Sequence, residues 1–580
     1  MKPRNLTYLV GLAVVLSPML AYGQAYDRVA PKTLPDKPPP LPPLPAEASP
    51  VPTSDQVVLP ALKGLVFVSD PASVHKEGLP DATGISAPGL PLLAEPGFTT
   101  KISPFIGRPV TMGDLGKIGE AVTGWYKDHD QPFISVTIPP QNISSGTVQV
   151  VVAQYRVGAV KPEGNNWFSS NVLVQESGLA PGQILTLNGL QDSVERLNAN
   201  PFRSVNTVFQ PGAEPGTTDV VLKTEDRLPL HLYASFDNAG TANLGRGEGG
   251  VGAVWGNAFG LDQQIAYQYT RSLSTRFDAH SLNWNAPLPW NDRLVIFGSY
   301  EEERPNAGPD LDENGQSGQA GLRYVHSLPT VSLANGVGLS GDLQVGYDFK
   351  STNNNLEFGG ARVFANTVEV DQFPLIYDGT ETDGYGETVL ANEFVFSPGG
   401  ITDGNTNAAF RAALAHSSAD YVYDRITLTR TTTLPAKFSW IARVTGQVAN
   451  GNLQSSEQLT DGGPGSVRGY YTDAALGSEG VLVSQEIRAP AFSLAKLVNQ
   501  TLPVEDQAQF GAFWDYGHVS QVNAIPDQVN SASLSSTGVD LHLTLDRYVD
   551  LRFDVGWQLR AAPGSDDRST FCDIAVTVGY

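Results

Sequence analysis

Between Leu459 and Asp473 the chain places one cation among turn-forming residues: Asp461-Gly462-Gly463-Pro464-Gly465-Ser466 leads into Val467-Arg468-Gly469-Tyr470. A glycine-rich loop ending on a basic residue could cradle phosphate, but that loop needs Gly-x-x-x-x-Gly-Lys-Ser/Thr opening a helix. Here Arg468 precedes Gly469-Tyr470 and no helical period follows, so an ordinary surface turn is the alternative from this stretch alone. Asp310-Leu311-Asp312-Glu313-Asn314-Gly315 resembles the first half of a calcium loop, yet the twelfth position is Gly321 where a carboxylate is needed. An acidic solvated loop is the better reading. The single cysteine, Cys572, excludes an intramolecular disulfide framework and a thiolate metal cluster. The eight histidines are scattered without a His-Glu-x-x-His pair, and no Ser/His/Asp set assembles. No catalytic residue, metal or cofactor is expected.

The elements around this stretch come next. Met1 to Gly23 has Lys2 and Arg4, an apolar run from Leu6 to Leu20 and small residues before Gln24, the form of a secretory signal peptide. Its removal takes the net charge from -23 to -25, since two cations leave with it. A strongly acidic exported chain is a poor partner for nucleic acid, whose binding rests on neutralised phosphates. Residues 24–56 read as a Pro-rich linker, with Pro38-Pro39-Pro40 and Pro42-Pro43 favouring an extended spacer.

From Val57 to Arg156 the pattern gives strand, helical region, strand, strand. Thr111 caps a helix with an apolar stripe of Leu115, Ile118, Val122 and Tyr126, and Asp114 completes a box-like start. Strands with Ile134, Val136, Ile138 and with Val148, Val150, Val152 follow across a turn ending at Gly146. Val157 to Arg227 repeats the order, with helices predicted over Trp167 to Ser177 and along Leu187, Leu190, Val194 and Leu197, then a hairpin of Val205 to Phe209 and Asp219 to Thr224. Two like modules with almost no linker indicate a tandem repeat.

Here a family resemblance enters. Leu197-Asn198-Ala199-Asn200-Pro201, Gln210-Pro211-Gly212 and Pro215-Gly216-Thr217-Thr218-Asp219 resemble the second POTRA domain of two-partner secretion transporters, the hemolysin activator/secretion family. Ile138-Pro139-Pro140-Gln141-Asn142-Ile143 and Gly146 resemble the end of its first POTRA domain. The implied modules are POTRA domain 1 at 57–156 and POTRA domain 2 at 157–227.

Beyond Leu228 the period changes to two. Leu339, Leu343, Val345 and Tyr347 alternate with Ser340, Asp342, Gln344 and Asp348; Leu551, Phe553, Val555 and Trp557 alternate with Arg552, Asp554, Gly556 and Gln558. A soluble sandwich also alternates, but the signal peptide and the size of the region favour a membrane barrel. Residues 228–580 number 353 (580 minus 227), which at about 22 residues per strand and loop allows about 16 antiparallel strands. A closed barrel leaves no backbone group unpaired in lipid. The last strand places Cys572, Ile574, Val576, Val578 and Tyr580 on its lipid face, and its aromatic end resembles the signal read by the barrel-assembly machinery.

The resemblance also implies a site. In the family a long loop enters the lumen with a Val-Arg-Gly-Tyr motif, matched by Val467, Arg468, Gly469 and Tyr470. Its arginine meets an aspartate in a Phe-x-Asp-x-Gly wall motif, matched by Phe513, Asp515 and Gly517. Alternation alone puts Phe510, Ala512, Trp514 and Tyr516 toward lipid and Phe513, Asp515 and Gly517 inward. The family implies export of a secreted partner protein across the bacterial outer membrane, with periplasmic POTRA domains, a monomeric barrel and no nucleotide, the drive coming from folding of the partner outside. The rivals are an outer-membrane insertase of the same superfamily, which usually carries more POTRA domains, and a passive porin, which needs neither modules nor loop motif. Many relatives carry an N-terminal helix that plugs the barrel; Gln24 to Leu34 is short and meets Pro31 and Pro35, which speaks against a plug helix and leaves its presence undecided by the sequence.

Overall fold

The computed structural model describes residues 24–32, 55–306, 311–333, 336–358, 361–498, 505–526 and 528–580. The stretch expected to be a signal peptide, most of the expected proline spacer and Asp310 of the calcium-like stretch lie outside these residues; Leu311 to Gly315 belong to a barrel strand. The chain divides into two compact units, one formed by residues 39–227 and the other by 1–38 together with 228–580.

In the 39–227 unit, the first module has a four-stranded sheet ordered Gly84–Ser86, Gly64–Val68, Thr147–Gln154, Ile134–Thr137. The helix Met112–Asp128 lies on it. Thr111 Oγ1 accepts from the Asp114 amide and the Asp114 carboxylate accepts from the Thr111 amide, a complete capping box. Leu115, Ile118, Val122 and Tyr126 are the core-facing stripe, packed with Leu65, Phe67, Val148, Val150 and Val152. Burying each such side chain is worth about 1.5–3 kcal/mol.

The second module has a three-stranded sheet with Thr217–Asp226 between Arg156–Glu163 and Arg203–Pro211. Two helices, Ser170–Ser177 and Leu187–Asn198, cover it. The first begins three residues later than the sequence reading placed it. The Asp226 carboxylate accepts from the amides of Asn166, Trp167 and Phe168, holding those residues outside the helix, and Ser169 then caps it. Asp130 of the first module accepts from the Asn188 amide at 2.9 Å, and Phe133 packs on Phe209, so the two modules join directly.

The other unit is a closed antiparallel barrel of 16 strands, from Leu230–Asp237 to Thr570–Gly579. The first and last strands close it through Tyr233 to Asp237 paired with Gly579 to Ala575. Among the described residues no helix is long and apolar enough to cross a membrane; strands do the crossing. Outward positions such as Leu343, Val345, Trp514, Phe553, Trp557 and Val578 are exposed, whereas Gln344, Asp348, Asp515 and Gln558 are buried inside. Strands six to eight, Leu311–Ser332, Gly338–Phe358 and Ala361–Asp383, are the longest, at 22, 21 and 23 residues.

The linker reading of residues 24–56 is corrected at its start, where the sequence left a helix undecided. Gln24–Val29 is a six-residue helix seated in the barrel unit. Tyr26 is buried, its ring lies tilted against Phe297 with centroids 4.8 Å apart, and its hydroxyl donates to the Leu282 carbonyl; Arg28 pairs with Glu248 at 2.6 Å; Ser281 Oγ donates to the Val29 carbonyl. Pro31 does not prevent the helix because it lies beyond its end. A helix this short cannot persist on propensity, so the wall contacts hold it.

Candidate functional site

The site lies where the loop between the eleventh strand, Ser439–Ala449, and the twelfth, Glu479–Arg488, folds against the inner wall. Within that loop Leu459–Asp461 pairs with Ala475–Gly477 as a small hairpin, and residues 462–474 form its tip. The wall opposite is the thirteenth strand, Asp506–Ser520. Its alternation is as expected: Phe510 and Trp514 are 53 % and 41 % exposed to the outside, while Phe513 and Asp515 are 3 % and 0 % exposed.

Arg468 and Asp515 form a fork. Arg468 Nε and Nη2 donate to Asp515 Oδ2 at 2.8 Å and Oδ1 at 3.1 Å, and the Arg468 backbone amide adds a third bond at 3.2 Å. The planar guanidinium matches the carboxylate edge, which fixes orientation as well as distance. The ring of Phe513 lies 3.5 Å from the guanidinium carbon, a cation–π contact on the same cation.

Tyr470 is buried and donates its hydroxyl to the carbonyls of Ser535 and Arg560, at 2.8 and 2.7 Å. Val467 packs with Tyr470 and Leu534. Gly469 has φ +88° and lies on Gly556, while Gln558 Nε2 donates to its carbonyl. Gly517 leaves space for a loop residue: a Cβ there would stand 2.2 Å from the Asp461 carboxylate oxygens. The seven residues singled out in sequence therefore meet at one place on the inner wall.

Several partners escaped the sequence reading. Glu486 accepts from Arg468 Nη1 at 2.8 Å, Asp554 stands 3.8 Å from the same nitrogen, and Ser484 Oγ donates to Asp515 Oδ1 at 2.6 Å. Glu486 and Ser484 face Phe513 and Asp515 directly across the strand pair, so inward parity of the twelfth strand was the available signal. Gly538 and Gly556 are visible only in three dimensions: a Cβ on Gly538 would strike the Phe513 ring at 2.3 Å. Three carboxylates around one guanidinium can hold a cation; nothing here activates a nucleophile or water. Among the described residues no acidic, His or Cys group is arranged to hold a metal ion.

Tandem α+β modules, a closed 16-strand barrel and a loop pinned inside it by an arginine–aspartate fork define an outer-membrane transporter of the two-partner secretion type, with its modules in the periplasm. Residues 216–329 and 401–542 match the family described as Haemolysin secretion/activation protein ShlB/FhaC/HecB, and residues 81–154 match the POTRA domain, ShlB-type. The chain belongs to that family, whose members are transporters rather than enzymes and act with secreted exoproteins. Heme/hemopexin transporter protein HuxB of Haemophilus influenzae (strain 86-028NP) is 22% identical over 456 residues, 75% of this chain and 76% of that one. Outer membrane transporter CdiB of Dickeya dadantii is 24% identical over 479 residues, 81% of each. The structure of CdiB from Escherichia coli superposes with a TM-score of 0.74 at 18% identity, covering 96% of this chain and 95% of that one, a likeness of fold.

Proposed function

We propose that this transporter takes an unfolded exoprotein from the periplasm through its POTRA modules and passes it through the barrel, with the Arg468 loop as the element that holds the lumen shut. The carrying observation is the Arg468–Asp515 fork within a closed barrel. In the second module Arg203–Pro211 is an edge strand, with Ser204, Asn206 and Val208 exposed between buried Arg203, Val205 and Thr207. The Asn198 side chain takes the amide and carbonyl of Val205, and the outer edge beyond it, from Asn206 to Pro211, suits an extended cargo segment adding as a strand. The chain works as a monomer that performs no chemical step, and the barrel-assembly machinery inserts it into outer-membrane lipid.

The test is export of the exoprotein encoded beside this chain. Arg468→Ala should cut secretion sharply while heat-modifiable migration shows the barrel still inserted. Unchanged secretion would remove the proposed role of the fork, and steady open conductance with no export by the native protein would favour a porin.

A further inference from the structure

The loop that carries Arg468 is also held at its foot, a few residues ahead of the tip. Ser455–Glu457 makes a single turn there, and the Glu457 side chain is 1 % exposed. One carboxylate oxygen accepts from Lys350 Nζ of the seventh strand at 2.6 Å, the other from the Tyr423 hydroxyl of the tenth, Asp420–Thr433, at 3.1 Å. The main-chain carbonyl of Glu457 accepts from Arg425 Nη2 at 3.3 Å and from Gln447 Nε2 of the eleventh strand at 3.0 Å. Three strands thus saturate the oxygens of one loop residue. Lys350 is equally enclosed, its side chain 3 % exposed. The N-terminal helix Gln24–Val29 packs against the same turn.

Between this foot and the tip stand Gly462 and Gly463, with φ +106° and +95°. Such backbone is open to glycine and strained for other residues, which lets the chain turn there from the hairpin into the tip. The tip closes on the wall by burying one cation among Asp515, Glu486 and Asp554.

We infer that Glu457 is a positioning residue for transport: paired with Lys350, it fixes the foot of the lumen loop, so that the tip turns about Gly462 and Gly463 onto Asp515. Glu457 acts through the Arg468 contact and not on cargo. The inference rests on the transport reading, and a measurement without cargo separates the two.

The full-length protein is recorded in planar bilayers and assayed for export as wild type, Glu457→Gln, Lys350→Met, the exchanged pair Lys350→Glu with Glu457→Lys, Arg468→Ala, and Glu457→Gln with Arg468→Ala. Each single foot variant should raise open-channel events and lower export about tenfold with the barrel inserted, and the exchanged pair should restore both to within about threefold, the size expected for coupled neighbours. Adding Glu457→Gln to Arg468→Ala should cost nothing further, because both act through one contact. An exchanged pair as defective as the single variants, or foot and tip effects that multiply, overturns the inference. Altered channel events in the foot variants alongside unimpaired export in every variant would support the anchor and count against the transport reading.

Discussion

Gly469 and Gly556 face each other so closely that a Cβ on Gly556 would lie 2.7 Å from the Gly469 Cα. The tip of the lumen loop therefore reaches the fork by backbone contact with the fifteenth strand, Val549–Gln558, at a point where neither partner has a side chain. Gly556→Ala should displace the tip and lower export with the barrel intact, and Gly469→Ala should do so more severely because its φ of +88° also disfavours a side chain. Secretion assays on inserted barrels check the order; equal, wild-type export by both would contradict it.

Arg468 and Asp515 should not be equivalent on mutation. Arg468→Ala leaves the buried Asp515 without its cation and Glu486 with Arg488 alone, whereas Asp515→Asn leaves the guanidinium its bond to Glu486. Breaking a buried pair typically costs about 3 to 5 kcal/mol, and Asp515→Asn should fall at the low end of that range. Denaturant-induced loss of the loop's proteolytic protection measures both, and a larger effect for Asp515→Asn would refute the ranking.

The helix Gln24–Val29 rests in part on Tyr26. Its ring and hydroxyl both have wall partners, so Tyr26→Ala should remove about 3 to 5 kcal/mol of seating, as large aromatic truncations do. Open-channel events in planar bilayers should then become frequent. Wild-type closure in that variant would mean the helix does not occlude the pore.

In the first POTRA module the Asp114 carboxylate is held below its ordinary range, chiefly by the Thr111 amide that it accepts from. A depressed folded value means that its contribution is present above the unfolded pKa of about 3.9 and is lost as pH falls through the folded value. Hydrogen exchange in the helix Met112–Asp128, taken relative to the intrinsic amide rate at each pH, should accelerate below about pH 4 in the native chain. Thr111→Ala should accelerate it already at neutral pH, by about 1 kcal/mol of lost capping. Relative exchange in the native chain that stays flat with pH would remove the cap from the account.

Much of the fold was legible because its signals are local. Two-residue alternation marks a strand with lipid on one side and lumen on the other, and it alone turns Asp515 inward. The stripe Leu115, Ile118, Val122, Tyr126 behind Thr111 marks a capped helix for the same reason. The helix Gln24–Val29 was not legible, since six residues carry no period strong enough to read and its stability comes from Phe297, Leu282, Glu248 and Ser281. The late start of Ser170–Ser177 depends on Asp226, more than fifty residues away in sequence.

The candidate site divides in the same way. By itself the sequence determined that a glycine-rich loop carries one arginine, that a later strand turns Phe513, Asp515 and Gly517 inward, and that both belong to a barrel-sized run of alternating strands. Only the tertiary structure decided that Glu486, Ser484 and Asp554 share the guanidinium, that Gly556 admits the loop backbone, and that Glu457 and Lys350 tie down the foot. Alternation reports which way a side chain points along its own strand. Which strands stand beside each other at one height in the lumen depends on register and closure around the whole barrel, and no local pattern carries that.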